Sequence, residues 1–112
     1  MKYVLLFAGT MTAEDRAANP ELAAQYEQTN AWFEQNVKAG KVVGGEELKG
    51  PETATTVRFK AGKPIVTDGP FIEAKEVIGG FALVDVANLD EALDLARSWP
   101  GGDVEVRPVV EH

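Results

Sequence analysis

The sequence predicts an α+β fold, a ferredoxin-like βαββαβ sandwich with an extra hairpin arm. Apolar side chains recur at helical spacing in two segments and alternate at strand spacing in the others. The order of segments is strand, helix, two strands with an inserted hairpin arm, strand, helix and strand, which is typical of two helices on one face of an antiparallel sheet. Because 112 residues bury enough surface for one core but not for two, we expect a single domain over residues 1–112.

The first strand and the first helix are both marked in the sequence. Lys2–Ala8 is apolar on both of its alternating faces, so we expect both faces to be covered. Gly9–Asn19 is small and polar and is predicted to be a connection. Asn19-Pro20 supplies an N-cap followed by proline at the first helical position, and Gly40 is predicted to end the helix. The predicted buried stripe, with Trp32 at its margin, consists of Leu22, Tyr26, Phe33 and Val37.

The middle of the chain is predicted to form a strand and a hairpin. Lys41–Leu48 is a strand whose paired glycines indicate a bulge or a close approach. Thr53–Lys60 alternates as a half-exposed antiparallel strand would. Ala61-Gly-Lys63 reverses the chain into Pro64–Asp68, and because this arm begins at a proline we expect it at an edge. One face of the Thr53–Lys60 strand carries Thr55, Val57 and Phe59, and the other carries Thr56, Arg58 and Lys60.

The last part of the chain is predicted to contain a strand, a helix and a strand. Gly69-Pro70 breaks the hairpin arm, and Phe71–Glu76 is predicted to be a loop or a single helical turn. Val77–Val86 is a strand in which Gly79-Gly80 permits a bulge. Asn88 has the spacing of a capping box with Glu91. The helix that follows is predicted to end at Pro100-Gly101-Gly102, before a last strand over Val104–Val109, and to present one face of Leu89, Ala92, Leu93, Ala96 and Trp99.

The two apolar faces of Lys2–Ala8 predict a homodimer, because two helices cover only one face of a sheet. A symmetric sheet-on-sheet contact with an identical chain is the least demanding cover for the other face. If four or five apolar side chains take part, at about 1.5–3 kcal/mol each on full burial, a lone chain would forgo something comparable to its whole stability. We therefore expect two sheets that enclose a partly filled cavity. The alternative is that the Gly9–Asn19 loop and the C-terminal tail fold over the bare face.

The composition excludes several classes of function. The formal net charge is −7, and neither half of the chain is basic, so we expect no direct binding to nucleic acid. With no cysteine, disulfides, thiolate nucleophiles and sulfur-ligated metal sites are excluded. The longest apolar run, Tyr3–Ala8, is far below the ~20 residues that cross a bilayer, and no signal-peptide pattern follows it. We therefore expect a cytoplasmic protein.

Asp68 is the first candidate for chemistry. It lies in Asp68-Gly-Pro-Phe71, where a turn aspartate can accept hydrogen bonds from backbone N–H groups two or three residues further on. The alternative is that Asp68, at a strand end with Phe71 behind it, faces a pocket as an acid/base or a polar anchor. Both interpretations stay open at this level.

The segment around Asp68 resembles the signature of the DGPF proteins, a branch of the YCII-related family. The resemblance rests on Asp68-Gly-Pro-Phe71 with Val66-Thr67 before it and Glu73, Lys75-Glu76 and Gly79-Gly80-Phe81 after it. It extends over the whole chain, through Met1–Leu6, Gly44-Gly-Glu46, Ala54–Val57, Leu89–Ala92 and Val104–Pro108. The family is similar in fold to dimeric α+β barrels, which agrees with the expected homodimer.

The resemblance implies little about activity. Members of the wider family carry a histidine early in the first helix and an aspartate, a pair from which enzymatic function has been suspected. Here the only histidine is His112, and the corresponding stretch of helix, 25–30, holds none, so a His–Asp couple cannot form inside the domain. Acid/base work would fall to carboxylates such as Asp68 or Glu46, steered by Arg58 or Arg107.

Three functions therefore stay open. The first is a homodimer that binds a small organic molecule between its sheets, with acid/base chemistry at Asp68. Since relatives occur fused to sigma-factor-like domains, the second is a non-catalytic accessory module in transcription that acts through protein contacts. The third is an enzyme relic that keeps the fold and the dimer but has lost turnover. We expect no metal and no cofactor, and the candidate ligand-binding residues are Glu46, Arg58, Asp68, Phe71, Phe81 and Arg107.

Three further observations concern these residues. Gly44-Gly-Glu46 could present backbone N–H groups to an anion, although a bulge explains it equally well. Arg107 shares a strand face with Glu105 and is expected to form an ion pair with it, and only secondarily to clamp a carboxylate. The aromatic residues that are expected to be core or dimer contacts, and to line a ligand site only if a cavity remains, are Tyr3, Trp32, Phe71 and Phe81.

Overall fold

A computed structural model describes residues 1–9, 18–70 and 77–112. Most of the predicted Gly9–Asn19 connection and all of the Phe71–Glu76 segment lie outside the described residues, so the predictions for them are not tested. The elements, in chain order, are β1 (Lys2–Ala8), α1 (Pro20–Lys38), β2 (Val42–Glu47), a short 3-10 turn (Pro51–Thr53), β3 (Thr55–Lys60), β4 (Lys63–Asp68), β5 (Ile78–Asp85), α2 (Leu89–Arg97) and β6 (Val104–Pro108).

Four of the strands form one antiparallel sheet with the order β2-β5-β1-β6, and β3 and β4 form a separate two-stranded sheet. This order confirms the ferredoxin-like prediction, with β3 and β4 as the inserted arm. Register shifts occur opposite Phe7/Ala8 of β1 and between Val42 and Gly44 of β2. The bulge that Gly79-Gly80 permits is therefore present, and in β2 a register shift, one of the two alternatives left open there, lies beside Gly44-Gly45.

Both predicted helix starts are confirmed by their caps. The Asn19 side chain accepts a hydrogen bond from the Glu21 N–H at 3.0 Å, with proline at the first helical position. The Asn88 side chain accepts one from the Glu91 N–H at 3.0 Å. The Glu91 carboxylate accepts in turn from the backbone N–H of Ala87, one residue before the N-cap, at 3.3 Å.

The helices cover one face of the four-stranded sheet and enclose the core. That face presents Tyr3, Leu5 and Phe7 from β1 and Ala82 and Val84 from β5, all buried. An aromatic cluster fills one end of this core. Phe7 stacks on Trp99 with ring centroids 3.8 Å apart and meets the rings of Trp32 and Phe33 edge-on.

The predicted buried stripes of the helices are only partly correct. On α1, Trp32 is buried, although it is predicted to lie at the margin of the stripe. Tyr26 and Val37, which are predicted to lie in the stripe, are 36% and 55% exposed. The helix turns its largest side chain to the sheet, where the Trp32 Nε1–H also donates to the Ser98 Oγ at 2.8 Å. On α2 the buried residues are Ala92 and Leu95, and Leu89 is 46% exposed because it lies at the start of the helix.

The hairpin projects from the sheet as an arm. Its turn has positive φ at Ala61 (52°) and Gly62 (78°), the geometry that matches the twist of two hairpin strands, so the predicted chain reversal is confirmed. The extensive packing of β3 and β4 among the described elements is with each other. The radius of gyration is 15.9 Å, above the roughly 13 Å expected for a compact domain of this length.

Neither described helix is both long and apolar enough to span a membrane.

Candidate ligand-binding face

The face of the four-stranded sheet that turns away from the helices is open and apolar at its centre. Strand register places Leu83 of β5 beside Val4 of β1, and Phe81 of β5 beside Leu6 of β1. All four side chains are half-buried, because neighbouring strand residues cover their sides and no described residue covers them on the side that faces away from the helices. We call these four residues the apolar centre.

The four residues of the apolar centre form two rows that run across the strands. Charged and small residues extend each row to the two edges of the sheet. The first row runs from Gly44 through the apolar centre to Arg107, and the second runs from Glu46 through it to Glu105. Directly opposed strand residues have Cβ atoms about 4.5–5.5 Å apart, so Glu46 lies beside Phe81. The open face thus combines an apolar floor with a carboxylate at one edge and a guanidinium at the other.

The predicted ion pair between Glu105 and Arg107 is present. The Arg107 Nη2 donates to the Glu105 Oε2 at 2.7 Å, and both side chains are more than half exposed. An exposed pair of this kind contributes little to stability, so Arg107 can exchange its partner at small cost. A second carboxylate, from a bound molecule, is chemically suitable as that partner.

Gly45 is the residue that sets Glu46 beside Phe81. Its φ is +147°, and a Cβ at this position would lie 2.5 Å from the Phe81 carbonyl oxygen and 3.2 Å from the Phe33 ring. A side chain does not fit there, so glycine lets β2 approach β5 closely. The paired glycines of this strand are predicted to mark either a bulge or a close approach. The close approach is found at Gly45, and the register shift of the bulge lies just before it, between Val42 and Gly44.

Asp68 ends β4, at the base of the hairpin, and is exposed. It pairs with Thr55, and the neighbouring Gly69 N–H donates to the Ala54 carbonyl at 2.8 Å, closing the hairpin base. No contact between described residues links Asp68 with Glu46, Phe81 or Arg107. In the single chain Asp68 therefore lies on a different element from the open face.

The remaining candidates are distributed between the arm and the core. Arg58 lies on β3, on the opposite face of the hairpin from Asp68. Phe71 lies outside the described residues. Tyr3 and Trp32 are 3% and 5% exposed and belong to the core, as their first interpretation predicted.

Sequence reasoning missed one polar contact near this site. The Tyr26 Oη donates to the Glu47 Oε2 at 2.8 Å and ties α1 to the end of β2, the strand that carries Glu46. No spacing in the sequence could have predicted it, because the two residues belong to different elements 21 positions apart.

An open concavity of about 460 Å³ lies on the hairpin around Phe59 and Ile65, and another of about 570 Å³ lies between the helices beside Trp32 and Asp94. Asp68 lines neither of them. Over residues 1–9, 18–70 and 77–112, no group of three or more His, Cys, Asp or Glu side chains could hold a metal ion. In one chain, Glu46, the apolar centre and Arg107 thus share an open face of the sheet.

Comparison with known proteins shows similarity along the whole chain. The family description "YCII-related domain" matches residues 1–112. An uncharacterized protein of Rhizobium meliloti (strain 1021), R00369, is 47% identical over 78 residues, which cover 65% of this chain and 63% of that protein. The chain thus spans less than two thirds of the length of this relative.

Proposed function

We propose that this chain, which belongs to the YCII-related domain family, forms a homodimer in which two open faces meet and hold a small organic molecule between them. The observation that carries the proposal is the apolar centre, which the helices leave uncovered on the sheet. A symmetric contact would place two such faces opposite each other. The Asp68-Gly-Pro-Phe71 motif further supports placement in the DGPF branch of the family, and we propose a cytoplasmic location.

The chemistry of the open face favours an organic molecule with an apolar body and a polar group. The apolar centre would contact the body, and Glu46 at one edge and Arg107 at the other would bind polar groups. A carboxylate group fits Arg107, whose present partner is an exposed glutamate. Such a molecule would be recognised by few but directional contacts.

Asp68 is proposed as the acid/base or polar anchor of this site. Because Asp68 is exposed on the arm, it would act on a molecule in the chamber only if the arm lies beside the sheets in the dimer. Its carboxylate could then accept a proton or a hydrogen bond from the bound molecule. Arg58 and Phe71 are proposed as further contacts from the same region of the chain.

A thermal-shift screen with a mixture of metabolites tests this function. We expect at least one compound to raise the melting temperature of the native protein and to raise that of Asp68→Ala less. Asp90→Ala, which removes an exposed carboxylate from α2, is the matched control and should respond like the native protein. No hit, or hits of equal size with Asp68→Ala, would remove the basis for a site at Asp68.

A second candidate function is the accessory module in transcription, acting through protein contacts. The exposed apolar side chains of the hairpin are the observation that favours it, since a patch of this kind can bind a protein. Pull-downs with RNA polymerase and sigma-factor components test it. If they return no partner, this function has no support left.

A further inference from the structure

One face of the hairpin is exposed and largely apolar. Pairing of Val57 with Val66 and of Phe59 with Pro64 places these four residues on the same face, which we call the hairpin face. Phe59 is 74% exposed, Val66 64% and Val57 45%. The opposite face is more polar: it carries the exposed Arg58, Lys60 and Lys63 and the buried Thr56, whose hydroxyl donates to the Gly69 carbonyl. Because Gly69 directly follows β4, this hydrogen bond closes the base of the hairpin.

A hairpin with this exposure is incomplete on its own. Two-stranded hairpins are marginally stable in water unless a sheet or helix packs on them. The exposed part of the hairpin face amounts to roughly 300 Å², comparable to the largest apolar patch on a typical monomer, and such patches are often functional. Some partner is therefore expected on this face.

The area needed for a stable dimer indicates that this partner is a second copy of the chain. Four strands about 4.8 Å apart and five residues long give the open sheet face a footprint on the order of 300 Å². A stable interface buries about 800 Å² on each partner, so the sheet face alone falls well short. In a symmetric dimer each copy would bury its own hairpin face and the surface that receives the partner's hairpin face, so the two arms add roughly 600 Å² to the sheet face on each copy.

The basic side chains of the hairpin lie on the side away from this contact. Arg58, Lys60 and Lys63 lie on the face opposite Val57 and Val66, and Asp68 is the one charged residue of the hairpin on the same side as the hairpin face. Packing of the hairpin face on a second copy would therefore bury no basic side chain.

We propose that the β3–β4 arm packs its hairpin face on a second copy of the chain, so that each ligand chamber is built from both copies. This inference rests on the homodimer of the proposed function. It adds that the Asp68 at each chamber is supplied by the arm of the other copy. Asp68 lies on the same side of the hairpin as Val57 and Val66, so docking of this side brings its carboxylate against the other copy. The chamber is then incomplete without the partner's arm.

Hydrogen exchange measured across a range of protein concentrations tests the proposal directly on the unmodified chain. Amides of β3 and β4 should gain protection in step with the dimer fraction measured by analytical ultracentrifugation. Phe59→Ser should raise the dimer dissociation constant about tenfold or more and reduce this protection. Ile65→Ser, the matched control on the other face of the same hairpin, should change the constant less than about threefold.

The outcomes separate this inference from the proposed function. A dimer whose β3 and β4 amides exchange as fast as those of the monomer would overturn the docked arm and leave the sheet-to-sheet dimer standing. A chain that stays monomeric at every concentration would overturn both. Protection that appears only when another protein is added would also overturn the proposal, because the occupant would then not be a second copy.

Discussion

Replacing Leu83 by aspartate places a carboxylate in the apolar centre of the open sheet face. Leu83 faces away from the helices and lies between Val4 on β1 and Gly44 on β2. In a single chain the new carboxylate would remain in contact with water. In a symmetric dimer, two such carboxylates would be carried into the contact between the sheets.

The loss of dimer stability expected for Leu83→Asp comes mainly from the buried charge. Leu83 is already half-buried, so a dimer can cover only the remaining surface of its side chain, worth about 1 kcal/mol. The figure of 1.5–3 kcal/mol for full burial therefore overstates the gain for each residue of the apolar centre. A carboxylate moved out of water costs several kcal/mol, so we take about 2 kcal/mol for each copy as a lower bound. Two copies weaken the dimer by about 4 kcal/mol, or roughly a thousandfold in its dissociation constant.

Analytical ultracentrifugation over a wide concentration range measures this constant. Far-ultraviolet circular dichroism, recorded on the same samples, checks that the fold persists. Leu89→Asp is the matched control, because Leu89 is 46% exposed at the first position of α2, on the helix side of the sheet. A negative charge is favourable at a helix N-terminus, so this variant should keep the native constant.

An unchanged dissociation constant for Leu83→Asp would refute the contact through the open sheet face. The same conclusion follows if the unmodified chain sediments only as a 12.1 kDa particle at micromolar concentration. Equal loss of dimer in Leu89→Asp would instead mean that the helix layer takes part in the contact.

Two further predictions concern the stability of the fold. Phe7→Ala removes the ring that stacks on Trp99 and should lower the free energy of unfolding by about 3–5 kcal/mol in urea denaturation, and a loss below about 1 kcal/mol would mean that the cluster repacks. Gly45→Ala should cost at least about 2 kcal/mol, because its φ of +147° and the Phe81 carbonyl 2.5 Å from the new Cβ leave no room. Gly79→Ala, with open space around its Cβ, is the control and should be near neutral, and equal losses in both variants would contradict this account of Gly45.

Helix starts and strand alternation could be predicted because they depend on residues close in sequence. Asn19 and Asn88 cap the helices through bonds to residues two or three positions away, and both were readable from spacing. The two apolar faces of Lys2–Ala8 likewise follow from a period of two. The candidates Glu46, Phe81 and Arg107 were placed on one face by the same rule, once the strand order was known.

The choice of buried side chains required the tertiary structure. Trp32 replaced Tyr26 and Val37 as the buried residue of α1, because the space beside Phe7 and Trp99 accepts an indole ring and this space exists only after three elements meet.

By itself the sequence determined which segments are helix and strand, how the helices begin, and that one sheet strand is apolar on both faces, because these properties depend on neighbours along the chain. Only the tertiary structure decided that the open face carries Glu46 and Arg107 at opposite edges and that Asp68 lies on a separate arm. The physical reason is that strand order and the orientation of the hairpin are set by packing between residues far apart in the chain.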